Sequence, residues 1–310
     1  MNPKSTDPSS MHPAIDIKAE IKPDAEKISR RKLFKRLVGV GSFAVAGGMY
    51  GREVEPYWVK WHEVKMPIRN LPASFKGFRI TQLTDLHAGD IVPFSHLRRT
   101  VEHVKNVIKP DMVVVTGDLV NDSAHFVKPV VELLAELQQA GIPVISILGN
   151  HDYETDYEKV SVHHDLADML QEQIKASGMI LLRNSSTSII KGKDRMWFVG
   201  LEDLWSGQYS PQLAFQGVPA NEPVIALSHN PDTAFEMDSF GANLTLSGHT
   251  HGGQVCIPGV GALLINIQNS QFQQGQFKLT NGSLYVSRGV GFLKKLRVFC
   301  RPEVPTFVLE

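Results

Sequence analysis

Cysteine is all but absent from this chain, which contains only Cys256 and Cys300. Two cysteines cannot build a disulfide framework, and these two stand too far apart for a C-x-x-C metal site. Two unpaired thiols are the plain expectation; a Cys256–Cys300 bridge is the alternative if the chain reaches an oxidising compartment. Net charge is missing as well. The 32 basic and 32 acidic residues cancel, so the whole chain offers no electrostatic footprint for nucleic acid. The apolar, glycine-rich run from Leu37 to Tyr50 stops at 14 residues, short of the roughly 20 that a spanning helix needs, which disfavours a permanent transmembrane anchor. Internal repeats and low-complexity tracts are absent too. What remains is length and apolar content: 310 residues, 42% of them hydrophobic, can fill a sizeable core.

The charge balance hides an asymmetry. Residues 1–46 hold nine basic and five acidic side chains, leaving 23 against 27 in the rest. A mildly acidic body disfavours long polyanions, although metal ions in a cleft would still attract a single phosphate group. The first 28 residues, with Pro3, Pro8, Pro13 and Pro23 among scattered charges, read as a flexible lead-in. Ser29-Arg30-Arg31-Lys32-Leu33-Phe34-Lys35 then precedes the uncharged apolar run. This is an export-signal layout, and its adjacent arginines resemble the twin-arginine class, whose machinery carries folded proteins. Ala44-Val45-Ala46 offers a cleavage site; retention at the membrane, or a basic helix lying on its surface, are the alternatives. The expected organisation is a lead-in plus signal over 1–50, a linker over 51–75 and one domain over 76–310. The expected location is the periplasm or the outer face of the cytoplasmic membrane.

From Leu71 onward, short runs rich in Val, Ile and Leu alternate with stretches of helical spacing, the pattern of a layered α/β fold. Five runs read as buried strands: Phe78 to Leu83, Met112 to Thr116, Val144 to Leu148, Val224 to Leu227 and Leu244 to Leu246. Phe94 to Ile108 has helical spacing and stops before Pro110, Val127 to Ala140 closes at Gly141, and Val162 to Ala176 ends before Gly178. Ile180 to Leu182, Thr187 to Ile190 and Met196 to Val199 look like hairpin strands.

All five strands run directly into polar residues: Asp85-Leu86-His87, Gly117-Asp118, Gly149-Asn150-His151-Asp152, Ser228-His229-Asn230 and Gly248-His249-Thr250-His251. In open α/β sheets the carboxyl ends of strands face one crevice, so loops far apart in sequence deliver their side chains together. The pairs Asp85/His87 and His249/His251 are spaced by two, which in an extended segment puts both side chains on one side. Carboxylate, imidazole and amide ligands without thiolate favour hard or borderline ions such as Mn, Fe or Zn. Glycine before Asp118, Asn150 and His249 allows tight turns. His229 alone would pass for an ordinary hydrogen-bonded histidine; its place after a strand makes it a ligand candidate.

D-x-H, G-D, G-N-H-D, a lone His and G-H-T-H, in this order at strand ends, resemble the calcineurin-like metallophosphoesterases from about Lys76 to Glu310. The resemblance implies a four-layer αββα sandwich with its metal site at the carboxyl ends of the strands. It implies one divalent ion on Asp85, His87 and His251, and another on Asn150, His229 and His249, with Asp118 bridging. Two close cations lower the pKa of a bridging water, whose hydroxide would attack phosphorus in line. His151, outside the implied ligand set, would protonate the leaving oxygen or steady a phosphoryl oxygen, and Asp152 would hold the His151 tautomer. The ending Gly248 to Gln254 and the later Val286-Ser287-Arg288-Gly289 are similar to a branch of phosphodiesterases that often carries export leaders. The implied substrates are small phosphodiesters or pyrophosphate-linked phospho-amphiphiles, with a phosphomonoester or a non-catalytic scaffold as alternatives and no nucleic acid expected. Phe292 to Phe299 mixes apolar and basic side chains, either an ordinary strand with one solvated face or a lip able to meet a membrane surface. Arg288 and Arg297 are candidate phosphate contacts.

Overall fold

The structure is a computed structural model that describes residues 46–121, 123–155, 162–262 and 267–310. The twin arginines and the apolar run as far as Val45 therefore lie outside the described residues; 46–53 is helical. Among the described residues no helix is long and apolar enough to cross a membrane.

Six strands form the first sheet: β1 (Lys60–Met66), β2 (Arg79–Leu83), β3 (Met112–Thr116), β4 (Val144–Ile147), β5 (Ile180–Leu181) and, from the chain's end, β14 (Glu303–Leu309). Their spatial order is β1-β14-β2-β3-β4-β5. β2 to β5 run parallel, as strands joined through helices must, and β14 enters antiparallel to β2. The connecting helices are α1 (Phe94–His103), α2 (Val127–Gln139) and α3 (His164–Ala176). α1 runs on through one wide turn, Val104–Ile108, and stops at Lys109, whose φ of 48° precedes Pro110; a residue before proline is disfavoured in the right-handed helical region.

The second sheet contains β6 (Ser185–Lys191), β7 (Asp194–Gly200), β8 (Val224–Leu227), β9 (Leu244–Ser247), β12 (Gly275–Lys278) and β13 (Ser283–Val286), in the order β12-β13-β9-β8-β7-β6. A separate two-strand hairpin joins β10 (Cys256–Ile257) to β11 (Gly261–Ala262).

Strand alternation assembles the layers. In β3, Val113 and Val115 pack with α1, α2 and α3 residues such as Leu97, Leu134 and Leu170. Met112 and Val114 of the same strand face Ile225, Leu246 and Phe198 of the second sheet. On that sheet's far side, Val199, Val224 and Ala226 meet Ala214 of α4 (Pro211–Ala214) and Met237 of α5 (Ala234–Ser239). The result is the αββα order implied by the resemblance.

Two expectations change. Residues 51–75 contain β1, all seven residues of which pair with β14. Its charges, Lys60, Glu63 and Lys65, mask a strand because it is a sheet edge, where charged side chains are tolerated and keep other chains from pairing. Ile180–Leu181 does not join the hairpin formed by β6 and β7 but lies parallel to β4.

Candidate metal centre

The ends of β2, β3 and β4 are level in one sheet, with Leu83 opposite Val115 and Thr116 opposite Ile147. In the other sheet Leu227 stands opposite Leu246 at the ends of β8 and β9. All five exits open on one cleft edge between the packed sheets. The backbone there is not extended. Asp85, His87, Asp118, His249 and His251 hold φ values of 52°, 46°, 53°, 71° and 51°, in the left-handed region that non-glycine residues seldom occupy and that clusters at functional sites. The two-residue spacing thus converges through left-handed turns. Of the preceding glycines, Gly117 uses a positive φ of 92°. Gly149 instead permits close approach, since a Cβ there would strike the Asp118 carboxylate.

Asp85, His87, Asp118 and His251 each place a ligand atom within 4.8 Å of the others, all buried. His87 Nε2 and His251 Nε2 are 2.9 Å apart, and His251 Nε2 is 3.4 Å from Asp85 Oδ1. The second set lies alongside: Asn150 Oδ1 is 2.9 Å from His249 Nδ1, and the His229 and His249 rings are 5.1 Å apart. Asp118 Oδ2 touches both sets, 3.4 Å from His87 Nε2 and 3.1 Å from His229 Nε2. All seven expected ligands are therefore brought together.

These residues fit divalent metal on three counts. Asp85 Oδ2 and His229 Nε2 are buried without a hydrogen-bond partner, although burying unpaired polar atoms is costly. His229 Nδ1 donates to the Thr116 carbonyl at 2.8 Å, so in the neutral ring Nε2 is the nitrogen whose lone pair is left for a metal. The charges also call for a cation. Burial would lower the His229 pKa, yet Asp118, Asp85 and Asp203 push it up to about 10. Burial raises Asp85 to about 6, while Asp118, despite its own burial, is held well below the usual carboxylate range by His229, His151 and His87.

His151 lines the same cleft, its amide donating to Asp118 Oδ1 at 3.0 Å and its ring edge-on to His87. Among the described residues the Asp152 carboxylate is engaged by backbone amides. It accepts those of Leu119 (2.9 Å), Val120 (3.1 Å) and Gly149 (2.9 Å), tying the turn after β3 to the turn after β4. Burial, reinforced by the Asp118 charge, raises its carboxyl to about 7 against the pull of those amides. Arg297 and Arg288 are not waiting for phosphate. Arg297 is buried and donates to the carbonyls of Gly291 (2.6 Å), Arg288 (2.8 Å) and Cys300 (3.1 Å), and Arg288 pairs with Glu303 at 2.5 Å. Cys256 and Cys300 are buried free thiols that both donate to the Gly252 carbonyl.

The cleft of about 300 Å³ has a polar floor of Asp118, Asn150, His151 and His249 and an apolar wall of Trp205, Val255, Leu293 and Leu296 beside Lys294. Phe292 to Phe299 is accordingly a loop bordering the site, not a strand. Three participants escaped the sequence reading. Trp205 stands edge-on to His249 at 4.8 Å. Asp203, buried near His229 and Asp118, has its carboxyl raised by burial to about 6. Glu202 accepts from both Tyr153 and Arg183, bracing the Asn150–Tyr153 turn. The signal was available: β7 also leaves its sheet into acids, at Gly200-Leu201-Glu202-Asp203.

A sequence profile of the family described as calcineurin-like phosphoesterase matches residues 78–253. The chain is similar to the uncharacterized metallophosphoesterase YkuE of Bacillus subtilis, at 29% identity over 293 residues, covering 92% of this chain and 99% of that one. It shares 33% identity over 284 residues with the phosphodiesterase YaeI of Escherichia coli, covering 89% and 97%. With the UDP-2,3-diacylglucosamine pyrophosphatase LpxG of Chlamydia trachomatis it shares 29% identity over 283 residues, covering 76% and 85%.

Proposed function

The chain belongs to the calcineurin-like phosphoesterase family and is a metal-dependent phosphoric ester hydrolase; on that premise we propose that it cleaves small phosphodiesters or pyrophosphate-linked amphiphiles with two divalent ions. Asp85, His87 and His251 would hold one ion and Asn150, His229 and His249 the other. The observation that carries this reading is the Asp118 carboxylate, one oxygen of which stands within 3.4 Å of an imidazole from each set. When bound, such ions supply Lewis acidity that neutralises phosphoryl charge and lowers the pKa of water.

The protein's own groups do the rest. Asp118 Oδ1 accepts the His151 amide and so sets that ring at the cleft beside the ligands, where it can hand a proton to the leaving oxygen. Asp152 keeps the two ligand-bearing turns in register through three amide bonds. Trp205, Leu293 and Leu296 keep water from one side of the cleft and favour an apolar substituent, with Lys294 near enough to meet a second anionic group. Relatives named as a phosphodiesterase and as a pyrophosphatase acting on a diacylated sugar nucleotide support this substrate class. A twin-arginine leader would place the folded enzyme outside the cytoplasm, in the periplasm or on the outer face of the cytoplasmic membrane.

The test is metal content measured alongside hydrolysis of bis-p-nitrophenyl phosphate and p-nitrophenyl phosphate, with and without added Mn²⁺. Diester preference with two ions per chain supports the reading, and monoester preference reassigns the substrate on the same ligands. Replete protein that holds no metal and cleaves neither compound would leave only a binding scaffold.

A further inference from the structure

Met49, Tyr50, Val54 and Trp58 stand exposed on residues 46–58. Leu293, Leu296 and Phe299 are exposed on the loop that borders the cleft, and Ile257 and Val260 on the β10–β11 hairpin. These three segments adjoin. The Arg297 amide donates to the Gly51 carbonyl at 2.8 Å, the Cys256 amide donates to the Val298 carbonyl at 2.9 Å, and Lys295 pairs with Glu53 at 2.5 Å. These adjoining segments gather exposed apolar residues beside the cleft, which Leu293 and Leu296 line.

Exposed apolar residues scattered singly need no explanation, but a contiguous patch beside a site marks an interaction surface. Phe299 is 70% exposed and Val260 71%. Phe299 also holds a φ of 52°, a left-handed conformation that bulky side chains rarely adopt. The charges on this face are lopsided: Arg52, Lys294, Lys295 and Arg301 against Glu53. The Arg301 guanidinium lies 3.9 Å from the centre of the Trp58 ring, so an aromatic body and a cation are presented as one amphipathic group. Met49 and Tyr50, the last two residues of the uncharged run from Leu37 to Tyr50 in the sequence, are both exposed.

We propose that this face seats the protein on a lipid bilayer containing anionic lipid, with the cleft opening at the membrane interface. Aromatic and aliphatic tips enter the headgroup region while the surrounding cations meet lipid phosphates. A second copy is disfavoured as occupant, because a two-fold contact would set these cations against themselves. For substrate access the proposal rests on the phosphoesterase reading: an amphiphile would offer its phosphate to the ligands while its chains stay in lipid.

The test uses the full chain with phosphatidylcholine vesicles, with or without phosphatidylglycerol, and with brominated acyl chains. Brominated chains should quench tryptophan fluorescence of the bound protein more strongly when phosphatidylglycerol is present, and Trp58→Phe should remove at least about half of that quenching. Val260→Asp/Phe299→Asp should remove a similar share at equal bound protein, with hydrolysis of soluble bis-p-nitrophenyl phosphate unchanged. Vesicle-bound protein whose quenching is indifferent to both changes overturns the proposal, because the leader alone then holds it. A dimer in sedimentation that the double substitution splits overturns it in favour of self-association. Quenching that persists in protein unable to cleave the soluble diester sustains the docking face and removes only the catalytic reading.

Discussion

Asp118 and His229 meet at 3.1 Å, carboxylate oxygen to imidazole nitrogen, although they leave different sheets and stand far apart in the chain. The His229 Nε2 atom makes no hydrogen bond there, so the two atoms share a direction without satisfying each other. A cation between them resolves both the unpaired nitrogen and the crowding of negative charge from Asp85, Asp118 and Asp203.

Asp118→Asn keeps the shape of that side chain and removes its charge. Turnover should fall at least about a hundredfold and metal retention should drop with it. Metal content by mass spectrometry, read beside diester hydrolysis, checks both; full metal with full activity would falsify the bridging role.

His151→Ala separates chemistry from metal binding. Its kcat should fall by roughly 10² to 10⁴ while metal content stays at the wild-type level. Metal loss of the Asp118→Asn kind would instead make His151 a support for the ligands.

Asp152 offers a test of what its carboxylate holds. Asp152→Ala strands three buried amides and should cost about 3 kcal/mol or more in denaturant unfolding. Asp152→Asn keeps acceptor oxygen and should retain kcat to within about tenfold. A much larger fall, of the size seen when a histidine loses the carboxylate that orients it, would return Asp152 to the role of orienting His151.

His96 lies buried beneath the loop after β13, with Nε2 3.2 Å from the Val290 carbonyl, and burial lowers its pKa from 6.5 to about 4. The folded state keeps it neutral where the unfolded chain takes up a proton. This contribution is complete above pH 6.5 and is lost as pH falls through about 4; at about 1.4 kcal/mol per pKa unit it amounts to roughly 3 to 4 kcal/mol. Unfolding midpoints between pH 7 and 4.5 should decline more steeply for wild type than for His96→Gln. Parallel curves would trace the acid sensitivity to other groups.

Legibility differed from residue to residue for physical reasons. β3, β4, β8 and β9 were readable because strands buried on both faces have no polar positions to interrupt the apolar run. β1 was not, because an edge strand carries charge and its partner, β14, lies at the other end of the chain. Glu202 and Asp203 follow a strand as the ligands do, but no ligand motif singles them out. Arg297 was expected as a phosphate contact; its burial against the carbonyls of Arg288, Gly291 and Cys300 and of the distant His251 is a property of packing that residue type does not disclose.

Local pattern determined the buried strands, the helices between them and the arrival of polar residues at strand ends, since these depend on residue type and short-range periodicity; the set of seven candidate ligands was implied by the family resemblance that those residues carry. Tertiary structure alone decided that two sheets, not one, supply those ends, that the ligand residues converge through left-handed turns, and that Asp152 and Arg297 hold backbone. Each of those outcomes depends on atoms brought together across long stretches of chain, where the interaction is set by packing and distance.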